Sequence, residues 1–410
     1  MIVDLLITNI KHLYTPVSVP KSYQVKRVDN VNLGIKDGKI IAIESDGSLF
    51  DAKEIIDAHQ MVLLPGFIDG HTHLVHGGSR EHEFKQKIAG VAYMDILKQG
   101  GGILSTVEHT RNASKDELFT KGKKSLDRML EFGVTTMEAK SGYGLDLDTE
   151  IKQLEVSQAL SESHPIDIYP TYLKAHAVPK EFKDNKDAYV ESVLNDMEII
   201  KDKALAKAVD VFCEKGVFDA QDTLKICTKA NELGFDIRIH TDELEDIGGT
   251  QVALEQGAKT IDHLIVMSDE NIDKASNTNT LCNVLPSTSF YLGKPYARAR
   301  KMIDSGCMVA INSDYNPGST PSENLQFSMH LAALKMKLSS EEILCAVTYH
   351  PAIGLGMEDK VGTLEVGKQA DFVLCDIPNL EYFIYHYGIN HVTDVFKNGK
   401  RVVKDRRIEE

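Results

Sequence analysis

The sequence predicts an α/β fold: a (β/α)8 TIM-like barrel carrying a small β-sandwich domain assembled from the N- and C-terminal segments. Three observations carry this. Apolar, β-branched runs alternate with segments of helical length through the middle of the chain; both ends are β-rich; and 410 residues suffice for one large domain and a smaller one. Strand and helix in alternation imply right-handed crossovers and parallel pairing, and eight such repeats over about 290 residues suit a closed barrel. A doubly wound open sheet is the structural rival.

The first 60 residues alternate short apolar runs with turns: VDLLITNI, VNLGI, then Lys36-Asp37-Gly38-Lys39 leading into IIAIES. An Asp-Gly pair between two β-rich runs signals a hairpin. Residues 355–410 repeat the texture in VGTLEVGKQADFVLCD and HVTDVFKNGKRVV, where Asn398-Gly399 marks another hairpin. Chain ends commonly lie near each other, so 1–60 and 355–410 are expected to form one composite β domain around a barrel spanning 61–354.

The barrel strands are expected in VLLPGFIDG, VTTMEAKS, IDIYPTYLKA, AVDVFCE, FDIRIH, TIDHL, TLCNVLPS and CMVAINS. Helices fill the gaps. Ser114 and Glu117 form a capping-box pattern before LFTKGKKSLDRMLEF, closed by Gly133; Asp219 starts AQDTLKICTKANEL, closed by Gly234.

With 46 Lys+Arg against 61 Asp+Glu the formal net charge is −15, which argues against a broad electrostatic grip on nucleic acid or anionic lipid. The N-terminus has an acid at Asp4 and no basic lead, and reads as a strand, not a signal peptide. No apolar run approaches the roughly 18 residues a membrane-spanning helix needs. Six cysteines without a CxxC pair, most of them inside apolar runs, read as buried thiols in a reducing cytoplasm.

In a barrel, chemistry sits at the carboxyl ends of the strands, so polar residues there matter most. The first strand runs into His71 and His73, two residues apart and on one face of an extended segment. FDIRIH ends in His240, TIDHL contains His263, and CMVAINS runs into Asp314. One such histidine is usually an ordinary structural residue. Imidazoles and an aspartate from four separate elements, converging on one mouth, point instead to a divalent metal: zinc, iron or manganese.

The PGFIDGHTH element, the late single-Asp strand and the β-rich flanks resemble the amidohydrolase superfamily of metal-dependent hydrolases. Within it, HTHLVHGGSREHEF, EAKSGYGL, KAHAVP, HTDELED, IDHL and SDYNPGS are similar to the imidazolonepropionase family. The resemblance implies hydrolysis of the ring amide of 4-imidazolone-5-propanoate to N-formimidoyl-L-glutamate, in histidine degradation. It also implies one metal per subunit, Zn2+ or Fe, held by His71, His73, His240 and Asp314. The implied substrate-binding positions are Arg80, Tyr143, His176, Glu243, Asn316, Gly318 and Ser319. His76 departs from the aromatic or apolar residue expected in its motif and is given a supporting or solvent-facing role.

Ring opening adds water to a carbonyl carbon and breaks its bond to nitrogen, so the barrier lies in making a nucleophile and bearing an oxyanion. A divalent metal addresses both, and can bring the pKa of water from near 16 to near 7. Glu243 is expected to act as general base and then acid, with Asp314 holding metal and water together. His263 is expected to polarise the substrate carbonyl, with distal metal ligation as its other role. Lys140, where two-metal relatives carry a bridging lysine, is expected to be structural or paired with an acid. Arg80 offers a planar fork to the propanoate; its bland reading is an ion pair with Glu81 or Glu83. A nucleobase deaminase and a catalytically silent scaffold are the rival functions; a homodimer is expected by analogy.

Overall fold

The computed structural model describes residues 1–91 and 101–409. Eight parallel strands follow one another around a barrel: Phe67–Asp69, Val134–Lys140, Asp167–Ala175, Ala208–Cys213, Asp236–Thr241, Thr260–His263, Leu281–Val284 and Met308–Ile311. Each pairs with its sequence neighbour, from Phe67↔Val134 through Val284↔Ile311. Closure is made by the segments that follow the first and last strands. Thr72 and Tyr315 form a parallel bridge, Asp314 N–H donates to His71 O (3.1 Å), and His73 N–H donates to Tyr315 O (2.8 Å). The two metal-candidate segments are thereby stitched together by backbone before any side chain is considered.

One sequence expectation is corrected here. VLLPGFIDG is not a single barrel strand: Val62–Pro65 pairs with His12–Leu13 and with Phe372–Cys375 in the other sheet, and only Phe67–Asp69 enters the barrel. Gly66 makes the break, and a Cβ there would run into Thr135. A continuous apolar run cannot reveal by itself that it changes sheets.

The terminal sheet is mixed and nine-stranded, drawing on Ile2–Pro16, Val25–Lys36, Lys39–Glu44, Asp51–Asp57 and Val62–Pro65 from one end of the chain, and on Phe372–Cys375, Val392–Lys397, Lys400–Lys404 and Arg407–Ile408 from the other. The long first strand bends at Asn9, in the left-handed region, and so pairs successively with Asp51–Asp57 and Val62–Leu63. Both expected hairpins form. Asp37-Gly38 and Asn398-Gly399 have positive φ at both central positions, the turn that matches strand twist.

Outside the barrel, helices cover every strand. Lys115–Glu131 starts at the capping box of Ser114 and Glu117, and Ala220–Glu232 starts at Asp219; Gly133 and Gly234 follow at positive φ. The barrel's apolar core lies between strands and helices and continues into Val373, Cys375, Val392 and Val395 of the terminal sheet. Among the described residues, no helix is long and apolar enough to cross a membrane.

Candidate active site

The strand ends bring His71, His73, His240, His263 and Asp314 together. Donor atoms of His71, His73 and His240 all lie within 4.8 Å of one another. Asp314 Oδ1 is 3.5 Å from His71 Nε2 and 3.7 Å from His73 Nε2. His263 adjoins them, its ring centroid 5.3 Å from that of His240 and 5.7 Å from that of His71. His263 and Asp314 have positive φ, a strained backbone that the surrounding packing must hold, and both lie at strand ends.

Whether the group suits a metal can be judged from its unpaired atoms. Nε2 of His71 and of His240 are buried without a hydrogen-bond partner, a costly state for a polar atom unless it is a ligand. Their other nitrogens are held. His71 Nδ1–H donates to Asp262 Oδ2 (2.8 Å) and His240 Nδ1–H to Asp210 Oδ1 (3.1 Å), which fixes the tautomers that leave Nε2 with its lone pair. Burial, with Lys140 nearby, holds His71 well below its usual pKa, and burial with His176 and His71 does the same to His73. Burial opposes charge on His240 too, but Asp210 outweighs it and the net shift is upward. Three imidazoles and a carboxylate of this kind fit a divalent ion.

Glu243 stands beside this group, its Oε2 3.7 Å from His263 Nε2, with 15% of its side chain exposed. Burial raises its pKa, which favours proton acceptance near neutral pH. Its loop is held from below: the buried Glu214 accepts Leu244 N–H (2.8 Å) and Glu245 N–H (3.1 Å). Asp314 is raised by burial, and Thr288 Oγ1 donates to its Oδ2 (2.5 Å).

The substrate candidates line the same mouth. Tyr143 is buried in a loop fixed by one carboxylate: Glu150 accepts Gly142 N–H at Oε2 and Gly144 and Leu145 N–H at Oε1. The flanking glycines are required, since Gly142 has φ +103° and a Cβ at Gly144 would strike the backbone of Glu150. His176 stacks on His73 with centroids 5.0 Å apart, and its Nδ1–H donates to Gly142 O. Arg80 is held by Glu83, whose Oε2 accepts both Nε–H (3.0 Å) and Nη2–H (2.8 Å), while Nη1 lies against Gly318 so closely that a Cβ there would collide with it. The ion pair and the place at the mouth are thus both real. Asn316 organises its own loop: Oδ1 accepts Gly318 N–H and Ser319 N–H (both 2.8 Å), and Nδ2–H donates to Asp314 O and Ser319 Oγ.

His76 is corrected. It is 3% exposed, donates Nδ1–H to His73 O (2.9 Å), and is driven by burial down to a pKa of about 3, so it does not face solvent. Lys140 pairs with acids, as expected: Asp210, Glu138 and Asp262 surround its Nζ at 2.6, 2.9 and 3.5 Å. What the sequence reading missed is the charged layer around that lysine. Asp210, Asp262, Glu138 and Arg238 are charges in the middle of apolar runs, where an unpaired ion is prohibitively costly; that was the available signal.

Comparison with known proteins places the chain in a family. Residues 62–402 match the model of the amidohydrolase family. An imidazolonepropionase of Fusobacterium nucleatum is 46% identical, covering 98% of this chain and 99% of its own length. One from Bacillus cytotoxicus is 48% identical, covering 97% and 96%. Among solved structures, a zinc-bound adenosine deaminase from Xanthomonas campestris aligns with a TM-score of 0.76 at 18% identity, over 100% of this chain and 95% of its own. A zinc-complexed atrazine chlorohydrolase from Arthrobacter aurescens aligns at 0.73 and 18%, over 98% and 96%. These last two share the fold. On family match and identity together, the chain belongs to the amidohydrolases and, within them, to the imidazolonepropionases.

Proposed function

We propose that this protein hydrolyses the ring amide of 4-imidazolone-5-propanoate, giving N-formimidoyl-L-glutamate. The observation that carries the reading is the meeting of His71, His73, His240 and Asp314 at one mouth, with two imidazole Nε2 atoms buried and unpartnered. Those four residues would hold one divalent transition metal, zinc or iron; when bound, it supplies Lewis acidity toward the carbonyl oxygen and lowers the pKa of water.

The chain's own groups supply the rest. Glu243 takes a proton from the attacking water as the new C–O bond forms, and delivers it to the ring nitrogen as the C–N bond breaks, so the reaction consumes one water and leaves the carboxylate unchanged. His263, neutral because burial lowers its pKa to about 4, donates a hydrogen bond to the substrate carbonyl. Asp314 holds the water in line with the carbonyl carbon. Arg80 receives the propanoate through the guanidinium edge that Glu83 leaves free, with Tyr143, His176, Ser319 and the Gly318 backbone closing around the substrate. Asn316 acts by shaping the loop that carries Gly318 and Ser319.

A deaminase acting on a neutral nucleobase leaves Arg80 without a purpose. A silent scaffold leaves the two unpartnered imidazole nitrogens without one. The six cysteines are free and buried, which supports placement in a reducing cytoplasm. We also place the enzyme in solution as a homodimer, the commonest closed assembly, which light scattering tests directly. The reading itself is tested by following the loss of imidazolone and the appearance of formimidoylglutamate with purified protein of known metal content. Turnover is expected; its absence in the metal-loaded protein would reject the reading.

A further inference from the structure

We propose that Lys140 is a positioning residue for the metal site: its ammonium is the hub between the two carboxylates, Asp210 and Asp262, that orient His240 and His71. The inference rests on the reading of these two histidines as ligands.

The connections are short and buried throughout. Lys140 Nζ meets Asp210 Oδ2 at 2.6 Å and Asp262 Oδ2 at 3.5 Å, with all three side chains 0% exposed. Asp210 in turn accepts His240 Nδ1–H, and Asp262 accepts His71 Nδ1–H. His71 follows the first strand, His240 lies in the fifth and the lysine ends the second, so one ammonium links ligands that the sheet itself does not place side by side. Each acid has one further anchor: Val211 N–H donates to Asp210 Oδ1 (2.7 Å) and Asn283 Nδ2–H to Asp262 Oδ1 (2.7 Å). Below, Glu138 Oε2 completes the ring around Nζ at 2.9 Å and uses Oε1 for Arg238 Nε (3.0 Å) and Thr171 Oγ1 (2.5 Å).

Charge explains why the hub must be a cation. Asp210 and Asp262 are like charges, both buried and both fixed by what they must accept from a histidine. Without the ammonium between them they repel, and the Nδ1 contacts lose their geometry. Burial alone would lower the lysine's pKa, but Asp210, Glu138 and Asp262 outweigh it and keep the ammonium protonated. The same ring of carboxylates is incompatible with a carboxylated lysine, which would set a fourth negative charge among three. With Glu138 counted, three acids face the two cations Lys140 and Arg238. Purely structural packing would not need this arrangement, since apolar residues of similar volume stabilise as well or better.

The test compares wild type with Lys140→Met and with Lys140→Gln, which keeps a neutral donor. Each protein is stripped of metal and titrated with Zn2+ against a competing chromophoric chelator. Histidine tautomers in the metal-free proteins are read from side-chain 15N–1H correlations, and folding from thermal unfolding. Wild type should take up one Zn2+ per chain and show His71 and His240 as Nδ1–H tautomers. The folded variants should bind about 10- to 100-fold more weakly, with those two signals shifted or lost. Wild-type affinity and unchanged tautomers in a folded variant would overturn the proposal, as would failure of both variants to fold, which would make Lys140 structural. Wild type that takes up no zinc would reject the ligand reading instead, and the tautomer comparison would still decide the hub.

Discussion

Both sheets of this protein bury their strands, but with opposite chemistry. The terminal sheet closes over Leu5, Ile7, Ile10, Leu13, Leu33, Ile35, Phe372 and Phe396, an apolar core with Phe372 and Phe396 stacked 4.4 Å apart. The barrel encloses Glu138, Lys140, Asp210, Arg238 and Asp262, all within 1% of full burial. Burial of apolar surface stabilises the first directly, whereas the second must offset the desolvation of five ions by pairing them. The terminal sheet keeps a buried ion pair of Lys397 with Asp371, whereas under the mouth where the histidines gather the five ions are linked into one network.

That contrast can be broken or sharpened by substitution. The largest effect is expected for Glu243→Gln, which should leave metal content intact while turnover falls by about 10²–10⁴-fold; equal turnover would remove the general base. Phe396→Ala, in the terminal sheet, should cost about 3–5 kcal/mol in denaturant unfolding, as expected for a large core truncation, yet leave zinc affinity of the folded protein unchanged. If it weakened zinc binding instead, the two regions would not be separable. Arg80→Ala should lose a charge-assisted contact worth about 1.5–3 kcal/mol, roughly ten- to a hundredfold in kcat/KM and mostly in KM. Gly318→Ala, which pushes on the far end of the same guanidinium, should raise KM by a few-fold only. The smallest effect is a pH shift. Because burial holds Glu243 above its ordinary pKa, the active carboxylate is present at higher pH and is lost on acidification before a free glutamate would be. The acid limb of kcat/KM should therefore lie above about 4.5, and a limb at or below the free value would contradict the burial argument.

Much of this was legible in the chain, for physical reasons. The eight strands stood out because apolar β-branched runs alternate with segments of helical length, and the turns at Asp37-Gly38 and Asn398-Gly399 because few residues accept left-handed φ in succession. His71, His73, His240 and Asp314 were found because strand ends concentrate chemistry. Gly66 was not recognised as a sheet boundary, since the strand that pairs along all of Val62–Pro65, Phe372–Cys375, lies more than 300 residues away. The Asp210 and Asp262 layer was missed because each looks like a solitary polar interruption until the barrel brings them to one lysine. The choice between a supporting and a solvent-facing His76 stayed open because nothing in its neighbours announces that Tyr143 and Tyr315 cover it.

The central claim is that imidazoles and an aspartate gathered from distant strand ends make water attack a ring carbonyl with the help of one cation. It is tested most directly by measuring the rate of 4-imidazolone-5-propanoate hydrolysis while metal-free protein is reconstituted stepwise with Zn2+ or Fe2+. The rate should climb in proportion to bound metal and stop rising at one equivalent per chain. Full activity in the metal-free protein, or a rate that ignores added metal, would contradict it.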